Sequence, residues 1–300
     1  MNLRTKYKNT FSLIKEKIFG YPQLKRKFKK RTGYTLNLKS PKSFNEKINW
    51  KKIHDRNPLL PIVADKYRVR GYLKDVLGEE KANEVLIPLL HVTEDPETIP
   101  FDDLPDEYII KANHGSGTNF IVEKGKKIDK EFIIDSCKKW IEEDYGFFKQ
   151  EWAYQKIPRK IIIEKLVKDE KGLLPKDYKF FVINGVCALV QVDIDRHIDH
   201  KRGLFDPHEW ELLPYGIKYN KSKYLPKPKN YKEMLSIAES LGSGFDFIRI
   251  DLYTIGEKVL FGEMTNYPDS GMGKFSPLEF DYELGSKWEL KKNYWKKPGN

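Results

Sequence analysis

Apolar positions along this chain repeat first with a helical period and later with a strand period. In residues 1–33, Phe11, Leu13, Ile14 and Ile18 form an uneven apolar stripe in strongly basic surroundings. That pattern predicts an amphipathic helix that either packs on the rest of the protein or rests on a membrane surface. Ser43 and Glu46 have capping-box spacing and open a helix through about Ile53. Asp65 begins a second helical stretch, with Tyr67, Val69, Tyr72, Leu73 and Leu77 apolar and Gly78 as its stop. Beyond residue 100 the period shortens. Glu107–Lys111 and Asn119–Val122 read as short strands around a glycine-bearing loop, and Asp129 opens a helix in which Ile133, Cys137 and Ile141 recur every four residues. Arg159–Lys168 holds the run Ile161-Ile162-Ile163, a buried strand by composition. Tyr178–Ile183 and Val186–Ile194 are joined by Asn184-Gly185, which predicts a tight type I′ hairpin. Residues 203–230, rich in Pro, Gly and aromatics, predict a long irregular connection. Tyr231–Leu241 is an amphipathic helix with Gly242 after it, and Asp246–Tyr253 pairs with Lys258–Met264 around Ile255-Gly256-Glu257. The order of elements is α+β with antiparallel pairs prominent.

Composition refines this picture in three ways. The apolar share of 39% is low, but 13% aromatics supply large buried groups, so 300 residues can build two or three packed subdomains. A net charge of +11 favours anionic partners without choosing among them, and a solvated lysine-rich surface accounts for much of it. Cys137 and Cys187 are far apart, each in an apolar pattern, with no metal spacing. They read as buried free thiols in a reducing cytoplasm. Residues 1–20 lack the uninterrupted apolar core of a signal peptide, and no apolar run approaches a membrane span, so the expectation is a soluble or at most peripheral protein.

Four clusters carry candidate chemistry. Lys111-Ala112-Asn113-His114-Gly115-Ser116-Gly117 places a cation and several backbone amides where they can surround a phosphate. It is neither a Walker A loop nor a dinucleotide fingerprint, and the plain alternative is a flexible hairpin loop. Glu164, Lys165 and Leu166 continue the apolar strand, and alternation turns at least one of the two charges toward a protected side. Asp177 and Lys179 open the central hairpin, while Asp193, Asp195 and Arg196 close it with His197 and His200 nearby. The acids suit ribose hydroxyls, and Lys179 or Arg196 suits a phosphate or carboxylate. Finally, Arg249 and Asp251 lie in one strand, with Glu263, Thr265 and Asn266 in the next. Adjacent antiparallel strands bring Asp251 and Glu263 together, and two such carboxylates need a cation or a proton between them. Magnesium fits that requirement. The loop Gly271-Met272-Gly273-Lys274 follows and can approach a substrate carboxylate.

In this order the clusters resemble the ATP-grasp fold. Ser43-Phe44-Asn45-Glu46-Lys47, Asp65-Lys66, Lys111 to Gly117, Asp177-Tyr178-Lys179 and Gly262-Glu263-Met264-Thr265 look like the TupA-like ATP-grasp family, associated with teichuronopeptide and other surface-polysaccharide biosynthesis. The resemblance runs from about residue 40 to 285. It implies an α+β fold in which two subdomains grip ATP, with boundaries at 1–100 for a basic, mainly helical region, 101–165 for the glycine-loop subdomain, 166–285 for the metal- and substrate-binding subdomain, and 286–300 for a basic tail. Lys111, His114, Gly115, Ser116 and Gly117 would meet the phosphates, Glu164 to Leu166 the adenine, and Asp177 the ribose. Asp251 and Glu263 would hold Mg2+, with Thr265 or Asn266 as the third ligand. Many ATP-grasp enzymes have Glu-x-Asn there, whereas in this sequence the asparagine falls one place late. Arg249, Lys179 and Arg196 would serve the transferred phosphate. The implied reaction is ATP-dependent joining of a carboxylate to an amine through an acyl phosphate, in the cytoplasm or at the inner face of the membrane, with no nucleic-acid partner. Two rivals remain at this point: a metal-dependent glycosyltransferase and a non-enzymatic polyanion binder.

Overall fold

The computed structural model describes residues 14–194, 201–218, 220–221 and 224–291. Two antiparallel-dominated sheets organise it. The first has four strands in the order β1-β4-β2-β3: β1 (Leu89–Thr93), β2 (Tyr108–Ala112), β3 (Asn119–Val122) and β4 (Ile161–Lys165). Ile110, Ile161 and Ile163 pack with Ile133 and Cys137 of the helix Lys130–Glu142, which explains the unbroken isoleucine run in a covered strand. Asp129 caps that helix by accepting from the Phe132 amide at 3.0 Å. Because β1 is an edge strand of this sheet, the sheet begins some way before the boundary at 101 read from sequence.

The second sheet has the order β11-β10-β5-β6-β7-β9. Its strands are β5 (Asp177–Ile183), β6 (Val186–Ile194), β7 (Lys201–Phe205), β9 (Asn220–Lys221), β10 (Phe247–Ile255) and β11 (Lys258–Thr265); β8 (Gly216–Ile217) pairs apart with β12 (Phe275–Ser276). Asn184 and Gly185 both have positive φ, 51° and 85°, as a type I′ turn requires. The stretch expected to be irregular contains β7, which pairs with β6 so that Gly203 lies opposite Val192. Pairing with a formed neighbour overrides the weak local propensity of Gly203. Gly242 ends the helix Tyr231–Gly242 from within rather than stopping it from outside. A Cβ there would lie 2.4 Å from Val182 Cγ1, so the missing side chain lets the helix rest on β5.

Helices from the N-terminal third close the second core. Ser43 Oγ accepts from the Glu46 amide at 3.1 Å and Glu46 Oε2 accepts from the Ser43 amide at 3.1 Å, completing the capping box of the helix Phe44–His54. One buried face of this helix is polar. Asn45 and Asn49 donate to the carbonyls of Gly273 and Gly271 at 2.8 and 2.6 Å, and Lys52 donates to that of Ser270 at 2.7 Å. The segment after β11 is thereby clamped, with Asp269 and Ser270 held at positive φ. The next long helix starts at Val69, not Asp65. The Asp65 carboxylate instead accepts from the Tyr67 amide at 2.9 Å and from Asn113 Nδ2 at 2.8 Å, tying the helical region to the end of β2. Ile14 and Ile18 are exposed, while Phe11 and Leu13 fall outside the described residues. Among the described residues no helix is long and apolar enough to cross a membrane.

Substituting Gly242→Ala is expected to cost about 1–3 kcal/mol by overpacking against Val182, and adding Val182→Ala should recover part of it. Urea unfolding of the single and double variants checks this; strictly additive losses would show that the two sites do not touch.

Candidate functional site

The β10–β11 register places Asp251 opposite Glu263 and Arg249 opposite Thr265, so alternation puts all four side chains on one face. Arg249 grips Asp251 with Nε to Oδ1 and Nη2 to Oδ2, each at 2.7 Å. The same Nη2 reaches Thr265 Oγ1 at 3.0 Å and Glu263 Oε1 at 3.4 Å. Thr265 Oγ1 in turn bonds Glu263 Oε1 at 3.1 Å. From β5, Lys179 donates to Asp251 Oδ2 at 2.8 Å and also to Asp177. Arg202 on β7 holds Asp193 on β6, Nε to Oδ1 at 2.7 Å. Charges of opposite sign thus alternate across four neighbouring strands in a buried ladder. Burial alone would raise the Asp251 carboxyl, but the charges of Arg249 and Lys179 outweigh it and hold it below its usual value. Asp251 is 2% exposed. The cation that the two acids need is supplied here by Arg249.

This geometry sorts the sequence-derived candidates. Glu263, Thr265 and Arg249 line a cavity of about 980 Å³ together with Lys66, Gly115 and Ser116. Asp177, Lys179 and Asp251 are buried in the ladder beside it. Asn266 is not brought to the acids: it is fully buried and donates Nδ2 to the Leu60 carbonyl at 2.9 Å. The bulge in this hairpin falls between Glu263 and Phe261, on the wrong side of Glu263 to turn Asn266 round. Arg196, His197 and His200 lie outside the described residues.

The glycine loop forms the facing wall. Gly115 and Gly117 have φ of 83° and 81°, and a Cβ on Gly115 would stand 2.7 Å from the Tyr145 ring. Among the described residues, the amides of Gly115, Ser116 and Gly117 have no acceptor. Ser116 Oγ bonds Tyr145 Oη at 3.0 Å. Lys66, named in the sequence only with Asp65 among the family's motifs and given no site role, bridges the walls, with Nζ 2.6 Å from the Gly115 carbonyl and 3.9 Å from Glu263 Oε2. Its backbone amide is held by the Asn113 carbonyl at 2.9 Å. The adjacency Asp65-Lys66 before a helix was the available signal. Lys111 faces a small neighbouring recess, bound to Glu164 at 2.8 Å, and Arg70 holds the other Glu164 oxygen at 3.4 Å. Lys165 is exposed and Leu166 buried, as alternation requires. His114 is removed from the cavity, 2% exposed, with Nδ1 3.1 Å from Asn113 Oδ1 and Nε2 3.1 Å from the Trp140 carbonyl. Two acceptors suit a protonated ring, yet burial first, and then the charges of Arg159 and Lys66, push its pKa down to about 3.

Free amides at a glycine turn, with Lys66 and Arg249 nearby, fit the phosphates of a nucleotide. Magnesium fits less completely. Glu263 and Thr265 present oxygens to the cavity, but both Asp251 oxygens are engaged, and no group of three His, Cys, Asp or Glu suited to a metal occurs among the described residues.

Two facing antiparallel sheets, a glycine loop on one and an acid–arginine strand pair on the other, define the ATP-grasp class of ligases. The chain belongs to the TupA-like ATP-grasp family, whose model matches residues 46–289. No curated protein sequence matches it. Solved structures with a similar outline include a D-alanine–D-alanine ligase from Helicobacter pylori, at 15% identity over 83% of this chain and 68% of that one, TM-score 0.43. A D-alanine–D-alanine ligase from Bacillus anthracis complexed with ATP gives 14% identity over 78% and 68%, TM-score 0.43. Phosphoribosylamine–glycine ligase from Thermotoga maritima gives 13% over 73% and 52%, TM-score 0.43.

The buried His114 sets a pH test. Its folded pKa lies below the unfolded value of 6.5, so its contribution to stability is full above pH 6.5 and is lost as pH falls toward 3. Wild-type stability should drop by about 2 kcal/mol more than that of His114→Gln between pH 7 and 5. Parallel pH dependence in the two proteins would show that folding does not shift the His114 pKa.

Proposed function

We propose that this chain uses ATP to activate a carboxylate as an acyl phosphate, which an amine then captures. The observation that carries the reading is the single cavity wall formed by Lys66, the Gly115–Ser116 loop, Arg249, Glu263 and Thr265. A carboxylate oxygen attacks the γ-phosphorus of ATP and ADP leaves. The amine then attacks the acyl carbon, phosphate leaves, and the amine loses a proton. Such chemistry needs cations around the phosphoryl group and exclusion of water more than it needs a protein nucleophile. Lys66 and the loop amides hold the outer phosphates, and Gly117 gives the loop the conformational freedom to close. Lys111 would meet the inner phosphates, and Glu164 to Leu166 the adenine. Glu263 and Thr265, joined by Asp251 once Arg249 turns to phosphate, would hold Mg2+. That ion would neutralise charge on the β- and γ-phosphates. Lys179 keeps Asp251 in place throughout.

The family context extends the proposal to an amino acid or amine joined to a uronic acid or another surface-polysaccharide component, in the cytoplasm. Exposed Ile14, Ile18 and Phe19 beside a basic N-terminus support peripheral contact with the inner face of the membrane.

Thermal unfolding tests the nucleotide half. A ligand at ~100 Kd stabilises by about 2.7 kcal/mol. Magnesium-ATP should therefore raise the wild-type midpoint by several degrees, ATP in EDTA less, and Glu263→Ala should abolish the magnesium-dependent part. A shift with UDP-sugars and none with ATP would sink the ligase reading in favour of a glycosyltransferase.

A further inference from the structure

The family match begins at residue 46, yet the cavity is completed by residues before it. The helix Pro22–Thr32 has two working faces. Leu24 and Phe28 are buried against Leu36 and Ile53, which fixes the helix to the body of the protein. Glu16 accepts from the amides of Gln23 and Leu24 at 3.0 and 3.3 Å, and the Gly33 amide closes the other end on the Lys29 carbonyl at 3.0 Å. A second stripe, offset by three and four residues, turns Lys27, Lys30 and Arg31 to the cavity. Side chains so spaced stand ~5–6 Å apart at Cβ. None of the three has a carboxylate within 4.0 Å among the described residues.

Other walls add to this charge. Lys149 and Lys274 line the same cavity, Lys149 lying 5.1 Å from the Tyr145 ring centroid. Two of the lining acids are already engaged. Glu16 caps the helix, and Asp269 faces Lys218 at 3.5 Å and Arg202 at 3.8 Å. Buried Glu151 also lines the cavity and offsets part of the charge of Lys27 and Lys149, and the cations left in excess raise the local concentration of anions. Tyr145 and Phe148 also line the cavity and offer flat apolar surface, with Phe148 exposed. Cations beside aromatic faces, on which sugar rings can lie flat, suit a pyranose chain bearing carboxylates better than an anionic peptide. The volume, about 980 Å³, reaches the upper end of small-molecule sites, where more than one sugar unit fits.

We infer that the helix Pro22–Thr32 forms an acceptor subsite for an acidic oligosaccharide, holding its repeated carboxylates while one of them reaches Arg249. The inference rests on the ligase reading, because it supplies that reaction's carboxylate. The helix charges act in recognition and not in phosphoryl transfer.

Fluorescence anisotropy with fluorescein-labelled tetragalacturonate tests this without turnover. The triple variant Lys27→Gln, Lys30→Gln, Arg31→Gln should bind at least tenfold more weakly than wild type, with a much shallower dependence on salt between 50 and 300 mM. Lys27→Arg with Lys30→Arg should retain binding, which separates charge from a local fold defect. Equal affinity in wild type and triple variant, no binding to wild type, or equal displacement by neutral maltotetraose would each overturn the subsite. Stronger displacement by tetraglutamate than by unlabelled tetragalacturonate would overturn its assignment to a sugar. The magnesium-ATP midpoint shift should be the same in the triple variant as in wild type, and its loss would overturn the separation of the two subsites. If wild type shows no such shift, the ligase reading fails whatever the anisotropy shows.

Discussion

Arg249 between Asp251 and Glu263 is the contact on which the site depends. Two carboxylates placed opposite each other on adjacent strands repel, and in a largely buried setting that repulsion is poorly screened. Arg249, two residues from Asp251 on the same strand, lies on the same face and meets both. Lys179 approaches Asp251 from the other side. The ladder continues through Asp177 and Asp193 to Arg202, so each buried charge faces one of opposite sign. Removing a member would leave its partner buried and uncompensated, the costly outcome for such networks. The ladder therefore fixes the end of the sheet and leaves Glu263 and Arg249 at the cavity.

Much of this was legible in the sequence because it follows from period-two alternation and short turns. The approach of Asp251 to Glu263 at one end of a hairpin followed from strand order, although the exact register depends on a two-residue turn at Gly256-Glu257 and a bulge at Gly262, and the capping box at Ser43 followed from spacing alone. Alternation also separated Thr265 from Asn266, and the structure settles which of them shares a face with Glu263. The role of Arg249 as partner of Asp251 was within reach of the same argument. Sequence spacing alone does not distinguish it from a metal, because a bound cation satisfies two facing carboxylates equally well.

What could not be read depends on contacts distant in sequence. Asn45, Asn49 and Lys52 make a helix face that is buried but polar, so it escapes any search for apolar period; its partners are carbonyls more than two hundred residues away. Lys66 acquires its place only when Asn113, just beyond the end of β2, holds its backbone. β7 forms because β6 offers it a ladder. Likewise, the basic helix before residue 33 carried no signal that its cations turn inward. Only the packing of Leu24 and Phe28 sets that orientation.

The central claim is that Arg249 serves as the resident cation of the Asp251–Glu263 pair. Mn2+ titration followed by electron paramagnetic resonance, without nucleotide, on wild type and Arg249→Ala tests it directly. Removing the guanidinium should free Glu263 and Asp251 Oδ1, with Lys179 still on Oδ2, and tighten Mn2+ binding at least tenfold. Unchanged or weaker binding in the variant would contradict the account, because the acids would then not be competing between arginine and metal.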